Sequence, residues 1–315
     1  MNAKNDKLQI KLLGSSALIY KNKIINDRNI RSKKFWQILE YLITFRNRDI
    51  SQAELLDLIY PNGKSENPVN ALKTLMHRIR SELDQLEFMD SHKMIIHSRG
   101  AYAWNTKMDY EIDVEVFEEL CASGNSPGKK EEEQIDCLLK AIELYRGDFL
   151  HKSSLESWAM QNNIYYRTMY IKAVHTAIEK LRNKEEYDKI VEICEKALGI
   201  DAYDEFLYYH LILGLVKMNN YQAALVEYRK LTTLFFSEFG VSPSGEITKL
   251  YREIIKTSKN VETDLNIIRE YLEEDQEGGG GGRGTFSFVR SYMQQDLQHG
   301  CTGDCCTNVS RNVMP

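Results

Sequence analysis

The sequence predicts a mostly α protein with a small antiparallel β component: a basic N-terminal module that ends in a helix and a hairpin, then an acidic array of helices. Three observations predict it. In residues 67–86, NPVNALKTLMHRIRSELDQL, the apolar Val69, Leu72, Met76, Ile79, Leu83 and Leu86 recur at spacings of three and four, one buried stripe on a 3.6-residue period. The stretch MIIHSRGAYAW, ending at Trp104, reads as two short strands around a tight Arg-Gly turn. From Asp113 to Phe236, six further stretches carry apolar residues at three and four.

Taken in order, Leu8 to Leu13 and Ala17 to Tyr20 are short apolar runs separated by Gly14-Ser15-Ser16. Lys21-Asn22-Lys23 turns into a third strand at Ile24-Ile25, which completes a small antiparallel sheet. Arg31 to Phe45 changes to helical spacing, with Phe35, Ile38, Leu39, Leu42 and Ile43 on one side. Ser51-Gln-Ala-Glu54 is a capping-box pattern that starts a second helix through Ile59, and Pro61-Asn-Gly63 ends it. The third helix begins after Asn67, with Pro68 in its first turn, where a missing N–H costs nothing. Its buried stripe leaves Asn70, Lys73, Thr74, His77 and Arg78 on another surface, the side chains a helix needs to read base edges in a major groove.

The second half predicts helices over Asp113 to Ala122, Lys130 to Tyr145, Leu155 to Leu181, Glu185 to Leu198, Glu205 to Met218 and Tyr221 to Phe236. Tyr187-Asp-Lys-Ile-Val191 and Tyr221-Gln-Ala-Ala-Leu225 lie 34 residues apart, with Cys194 opposite Tyr228; that is the period of tetratricopeptide helix pairs. Such an array leaves a concave face that binds peptides, domains or a second copy of the chain. Tyr165, Tyr166, Tyr170, Tyr203, Tyr208 and Tyr209 fall in or near it, as packing where buried and as interface candidates where exposed.

Charge sets the domain limits. The formal net charge of −5 hides an opposition: residues 1–108 hold 18 Lys/Arg against 11 Asp/Glu, whereas residues 109–277 hold 20 against 33. One module attracts polyanions and the other repels them, so residues 1–108 are expected to contact DNA and residues 109–277 to do something else. Residues 278–315 form a third, Gly-rich region, opened by Gly278 to Gly282 and expected to be disordered. Cys301, Cys305 and Cys306 crowd there with His299, without the Cys-x-x-Cys spacing of a zinc site, while Cys121, Cys137 and Cys194 read as small buried residues. Slippage in a run of glycine codons is an alternative origin for this tail.

Several classes are disfavoured. No apolar run approaches the roughly 18 residues a membrane helix requires, and the N-terminus lacks the apolar core of a secretory signal, so a cytoplasmic protein is expected. There is no Walker loop, nucleophile elbow, His-Glu-x-x-His pair or dinucleotide fingerprint. Glu131-Glu-Glu133 and Glu273-Glu-Asp275 read as solvated runs. No enzymatic activity, cofactor or metal is expected.

Sheet, three helices and a terminal hairpin in that order resemble the winged-helix effector domain of the OmpR/PhoB class, over about residues 7–106. Ile10-Lys-Leu-Leu-Gly14, Arg31-Ser-Lys-Lys34, Leu75-Met-His-Arg-Ile-Arg80 and Arg99-Gly100-Ala-Tyr102 carry the likeness. Ala141-Ile-Glu-Leu-Tyr-Arg-Gly-Asp-Phe149, Asp204-Glu-Phe206, Ala223-Ala-Leu-Val-Glu-Tyr228 and Phe239-Gly-Val-Ser-Pro243 resemble a bacterial transcriptional activation domain. Together they look like the antibiotic-regulatory-type (SARP) activators: an N-terminal winged helix plus a C-terminal tetratricopeptide-like helical array. The resemblance implies a transcription regulator whose third helix enters the major groove and whose wing, at Arg99, lies beside the sugar-phosphate backbone. The family wing usually reads Arg-Gly-x-Gly-Tyr; here Arg-Gly-Ala-Tyr makes it shorter. No receiver domain precedes it, so aspartyl phosphorylation is not assumed.

The expected DNA-binding set is Lys33, Lys34, Asn70, Lys73, Thr74, His77, Arg78, Arg80, Arg99 and Tyr102. Some have duller readings. Arg80 suits an ion pair with Asp84 or Glu87 at helical spacing. His77 is a groove contact or a solvated residue rather than a ligand, and Trp36 and Trp104 belong to the core. Lys33 and Lys34 oppose the dipole of the helix they start, which an external anion such as phosphate would explain. Expected partners are double-stranded DNA, RNA polymerase or a sigma factor, and a second copy on direct repeats, with no membrane. The rival reading is a tetratricopeptide adaptor whose winged helix does not bind DNA; a sensor of a small ligand is a weaker third.

Overall fold

The computed structural model describes residues 7–61, 63 and 67–257. The glycine run, His299, the tail cysteines and Glu273-Glu-Asp275, with the expectations attached to them, lie outside the described residues. The chain opens with β1 (Leu8–Lys11), β2 (Ala17–Tyr20) and β3 (Lys23–Asn26), then α1 (Lys33–Thr44). β4 (Ile50–Ser51), α2 (Gln52–Ile59), α3 (Pro68–Asp84) and the short α4 (Ser91–Met94) precede the hairpin of β5 (Ile95–Ser98) and β6 (Ala101–Trp104). β7 (Tyr110–Ile112) leads into α5 (Asp113–Gly124), α6 (Glu131–Leu144), α7 (Ser157–Asn183) and α8 (Tyr187–Leu198). α9 (Glu205–Lys217), α10 (Tyr221–Phe239) and α11 (Gly245–Thr257) follow.

Local signals set the starts of the helices. The Ser32 hydroxyl accepts from the Phe35 N–H and the Ser51 hydroxyl from the Glu54 N–H, so both serines fill an orphan donor in the first turn. Asn67 does the same for α3, accepting from the Asn70 N–H at 3.1 Å ahead of Pro68. Trp36, Phe35, Ile38, Leu39 and Leu42 of α1 are buried with Leu55 of α2 and Leu72, Met76, Ile79 and Leu83 of α3. Trp104 joins that core as expected.

The first sheet is mixed rather than purely antiparallel. Its order is β3-β2-β1-β7, and β7 runs parallel to β1 with Leu8 opposite Tyr110 and Ile10 opposite Ile112. Three residues of strand, 102 positions away from their partners, leave no local pattern to read. The second sheet, β4-β6-β5, is antiparallel and carries the hairpin.

Contacts divide the chain into two compact units, with the division between Ala202 and Tyr203. In the first, α5 packs on α6 and α7, α6 on α7 and α7 on α8, around Phe117, Leu138, Ala141, Val174, Leu181 and Cys194. The connection from α6 to α7 lies against the first sheet. The Leu150 N–H donates to the Leu12 carbonyl at 2.8 Å, the Gly14 N–H donates to the Asp148 carbonyl at 3.1 Å, and Leu13 bridges to Phe149. Gly14 is required there: its φ is +93°, and a Cβ would sit 3.2 Å from the Arg146 backbone.

In the second unit α9, α10 and α11 pack on one another around Leu207, Leu211, Leu231, Ile247 and Ile254, with Tyr228 and Tyr251 stacked at 4.1 Å. Gly240, left-handed at φ 68°, closes α10. α8 and α10 start at Tyr187 and Tyr221, the 34-residue offset seen in the sequence, and Cys194 and Tyr228 are both buried. Cys137 differs from expectation: it is half-buried, its sulfur 3.9 Å from the Lys129 ammonium.

Candidate nucleic-acid interface

α3 presents two faces. Leu72, Met76, Ile79 and Leu83 point into the core, while Asn70, Lys73, Thr74, His77 and Arg78 are all exposed. On a helix that turns about 100° per residue, those five fall within an arc of about 140°. Ser81 lies in the middle of the same arc and is exposed, a residue the sequence reading passed over although it continues the spacing of three and four. Among the described residues none forms an ion pair with Lys73, Arg78 or Arg99. The Thr74 hydroxyl donates to the Asn70 carbonyl at 3.0 Å, which leaves its lone pairs and methyl outward.

Val69 departs from the predicted stripe. It is 41% exposed. It lies in the first turn of the helix, so an exposed apolar residue stands beside Lys73, one turn on.

The wing is a two-residue hairpin. Arg99 and Gly100 both have positive φ, 52° and 75°, between the paired Ser98 and Ala101, the backbone signature of a type I′ turn. The Gly100 carbonyl accepts from the Gln52 N–H at 3.0 Å, and β4 pairs with β6, so the wing is fastened to the start of α2. Arg99 projects from that fixed tip, exposed.

Four expected contacts have partners or places inside the protein. Arg80 is half-buried, and its Nη2 donates to the Ile95 carbonyl at 2.9 Å, which ties α3 to the wing strand. Neither Asp84 nor Glu87 takes it, because Asp84 accepts from the Ser91 N–H and Glu87 pairs with Lys23. Tyr102 is 5% exposed and stacks on His97 across the hairpin at 4.3 Å. Lys33 pairs with Glu156 at 2.8 Å, and the Lys34 ammonium sits 3.6 Å over the Tyr60 ring. Of the expected set, Asn70, Lys73, Thr74, His77 and Arg78 of α3 and Arg99 at the wing tip are thus left exposed.

The helical array sorts its tyrosines. Tyr170 and Tyr208 are buried, Tyr166 and Tyr209 half-buried, and Tyr165 and Tyr203 exposed. Leu155, Met160 and Ile164 are exposed with Tyr165 on the N-terminal half of α7 and the turn before it. Among the described residues no cluster of His, Cys, Asp and Glu could hold a metal, and no helix is long and apolar enough to cross a membrane.

Residues 112–255 match the bacterial transcriptional activator domain family. Among solved structures, the chain is similar to Mycobacterium tuberculosis EmbR in complex with a low affinity phosphopeptide. The TM-score is 0.58 at 16% identity, covering 86% of this chain and 71% of that one; at this identity the likeness is one of fold. No curated protein matches the chain by sequence.

Proposed function

We propose that this chain, in which residues 112–255 match the bacterial transcriptional activator domain family, is a transcription regulator of the antibiotic-regulatory (SARP) type that binds specific double-stranded DNA and activates transcription. α3 lies in the major groove with Asn70, Thr74 and His77 toward base edges, Lys73 and Arg78 reach phosphates along the groove walls, and Arg99 holds the backbone at the wing. The helical array contacts RNA polymerase or a sigma factor, and a second copy on direct repeats. The observation that carries this reading is the exposed polar face of α3, free of ion pairs among the described residues, on a helix whose other side buries Leu72, Met76, Ile79 and Leu83.

Fluorescence anisotropy tests it, with the full chain titrated onto DNA from upstream of its own gene and onto scrambled DNA across a salt series. Specific binding should weaken steeply with salt, and an Arg78→Glu/Arg99→Glu variant should lose it. Each phosphate contact removed should lower the magnitude of the log-log salt slope by about one. Folded protein that binds neither DNA would move the weight to the adaptor reading.

A further inference from the structure

The first unit buries an acid cluster for which DNA recognition has no use. Glu40 of α1 is 1% exposed. Its Oε1 accepts from the Ser16 hydroxyl at 2.5 Å, in the turn between β1 and β2, and its Oε2 accepts from the Ser153 hydroxyl at 2.6 Å, in the connection between α6 and α7. One carboxyl therefore joins the winged helix to the activator domain.

Asp27, buried just after β3, lies close to the same spot. Its Oδ1 has no hydrogen-bond partner, and its Oδ2 is 3.7 Å from the Lys152 ammonium, which also donates to the Asp27 carbonyl. Lys33, two turns back from Glu40 on α1, is held by Glu156, and Lys34 lies over the Tyr60 ring. The seam thus offers two buried carboxylates a single lysine. Removing a charge from water is costly unless it is paired, so the arrangement is one cation short when both acids are ionised.

We propose that Glu40 is a proton-operated clasp, which locks the α6–α7 connection onto the winged helix when protonated and releases it when ionised. A neutral carboxyl is donor and acceptor at once: when Glu40 is protonated, one of the two serine hydroxyls turns from donor to acceptor, and both stay bonded without adding charge to the seam. Ionised, it sets a second negative charge beside Asp27. Burial pushes the Glu40 carboxyl up to about 7 against the opposing pull of Ser153, Ser16 and Lys152, with Asp27 adding to the rise. The folded value is raised, so the clasp is fully closed below the ordinary glutamate range and weakens as pH rises through neutrality.

Hydrogen exchange of the full chain tests the clasp at the amides of Gly14 and Leu150, which close the seam. Between pH 6 and pH 8, after correction for intrinsic rates, their protection should fall about tenfold in the wild type, the factor by which a group titrating near 7 loses its protonated form. In Glu40→Gln, a neutral isostere, protection should stay at the wild-type pH 6 level. Flat protection in the wild type, or the same fall in the variant, overturns the proposal. Should the variant fail to fold, 13C titration of the wild-type Glu40 carboxyl decides: a midpoint near neutrality supports the clasp, and one in the ordinary glutamate range sinks it.

Discussion

Asp113, the first residue of α5, accepts hydrogen bonds from the backbone N–H groups of Leu12 at 2.9 Å and Leu13 at 3.0 Å. The helix that opens the activator domain therefore satisfies the end of the first strand of the winged helix. Replacing Asp113 by Ala orphans two buried donors, a loss of about 2–4 kcal/mol. Burial holds the Asp113 carboxyl up at about 6, against the pull of its backbone donors and Lys11. Because that value is raised above the ordinary 3.8, Asp113 contributes stability that is lost as pH rises from about 4 through 6, and the variant should flatten that part of the profile. Urea unfolding also tests the continuity of the sheet. Residues 1–202 should unfold cooperatively, whereas residues 1–108, which lack β7, should be far weaker. An equal midpoint for the two fragments would contradict this.

The wing tip carries backbone strain at Arg99. Arg99 occupies a left-handed position that Asn or Gly takes at lower cost. Arg99→Asn should therefore raise stability by about 0.5–1 kcal/mol while weakening DNA binding. Its salt slope should shrink by about one, the loss of one phosphate contact. Thermal melts and anisotropy on the same samples give both numbers, and a variant that gains stability with unchanged affinity would remove Arg99 from the interface.

The particular residues legible in advance share one property, that their determinants are local. The exposed set on α3, the caps at Ser51 and Asn67 and the Arg-Gly hairpin all follow from spacings of two to four residues. So do six helices of the array, found within a few residues of their predicted limits, whereas α11 was not predicted. What escaped was set by distant chain. β7 is defined by β1, the partner of Lys33 is Glu156, and the burial of Glu40 needs Ser153 from another module. Val69 failed for the opposite reason: its spacing fits the stripe, yet it sits in the first turn and stays exposed.

Arg80 and Tyr102 should behave as wing supports rather than DNA contacts. Arg80→Met removes the bond to the Ile95 carbonyl and should destabilise the chain by about 1–2 kcal/mol. Tyr102→Phe keeps the stack on His97 and should change stability by less than about 0.5 kcal/mol. Neither should alter which bases are preferred. A change of preferred sequence in Tyr102→Phe, read by selection from a random pool, would return this residue to the interface.

In the proposed binding mode, contacts of α3 to bases and to phosphates should separate by their thermodynamic signatures. Lys73→Ala and Arg78→Ala should weaken binding to every DNA alike and each reduce the salt slope by about one. Asn70→Ala should instead cost about 1–3 kcal/mol at one base pair and relax preference there only. If Val69, exposed beside Lys73, meets a thymine methyl in the proposed complex, thymine-to-uracil replacement at the responsive position should weaken the wild type and leave Val69→Ala unaffected. The decisive comparison is a panel of single-base operator variants measured against the wild type and the four variants at one salt concentration. A uniform loss across the panel for Asn70→Ala would place that residue on the backbone and move base reading toward Thr74, His77 and Ser81.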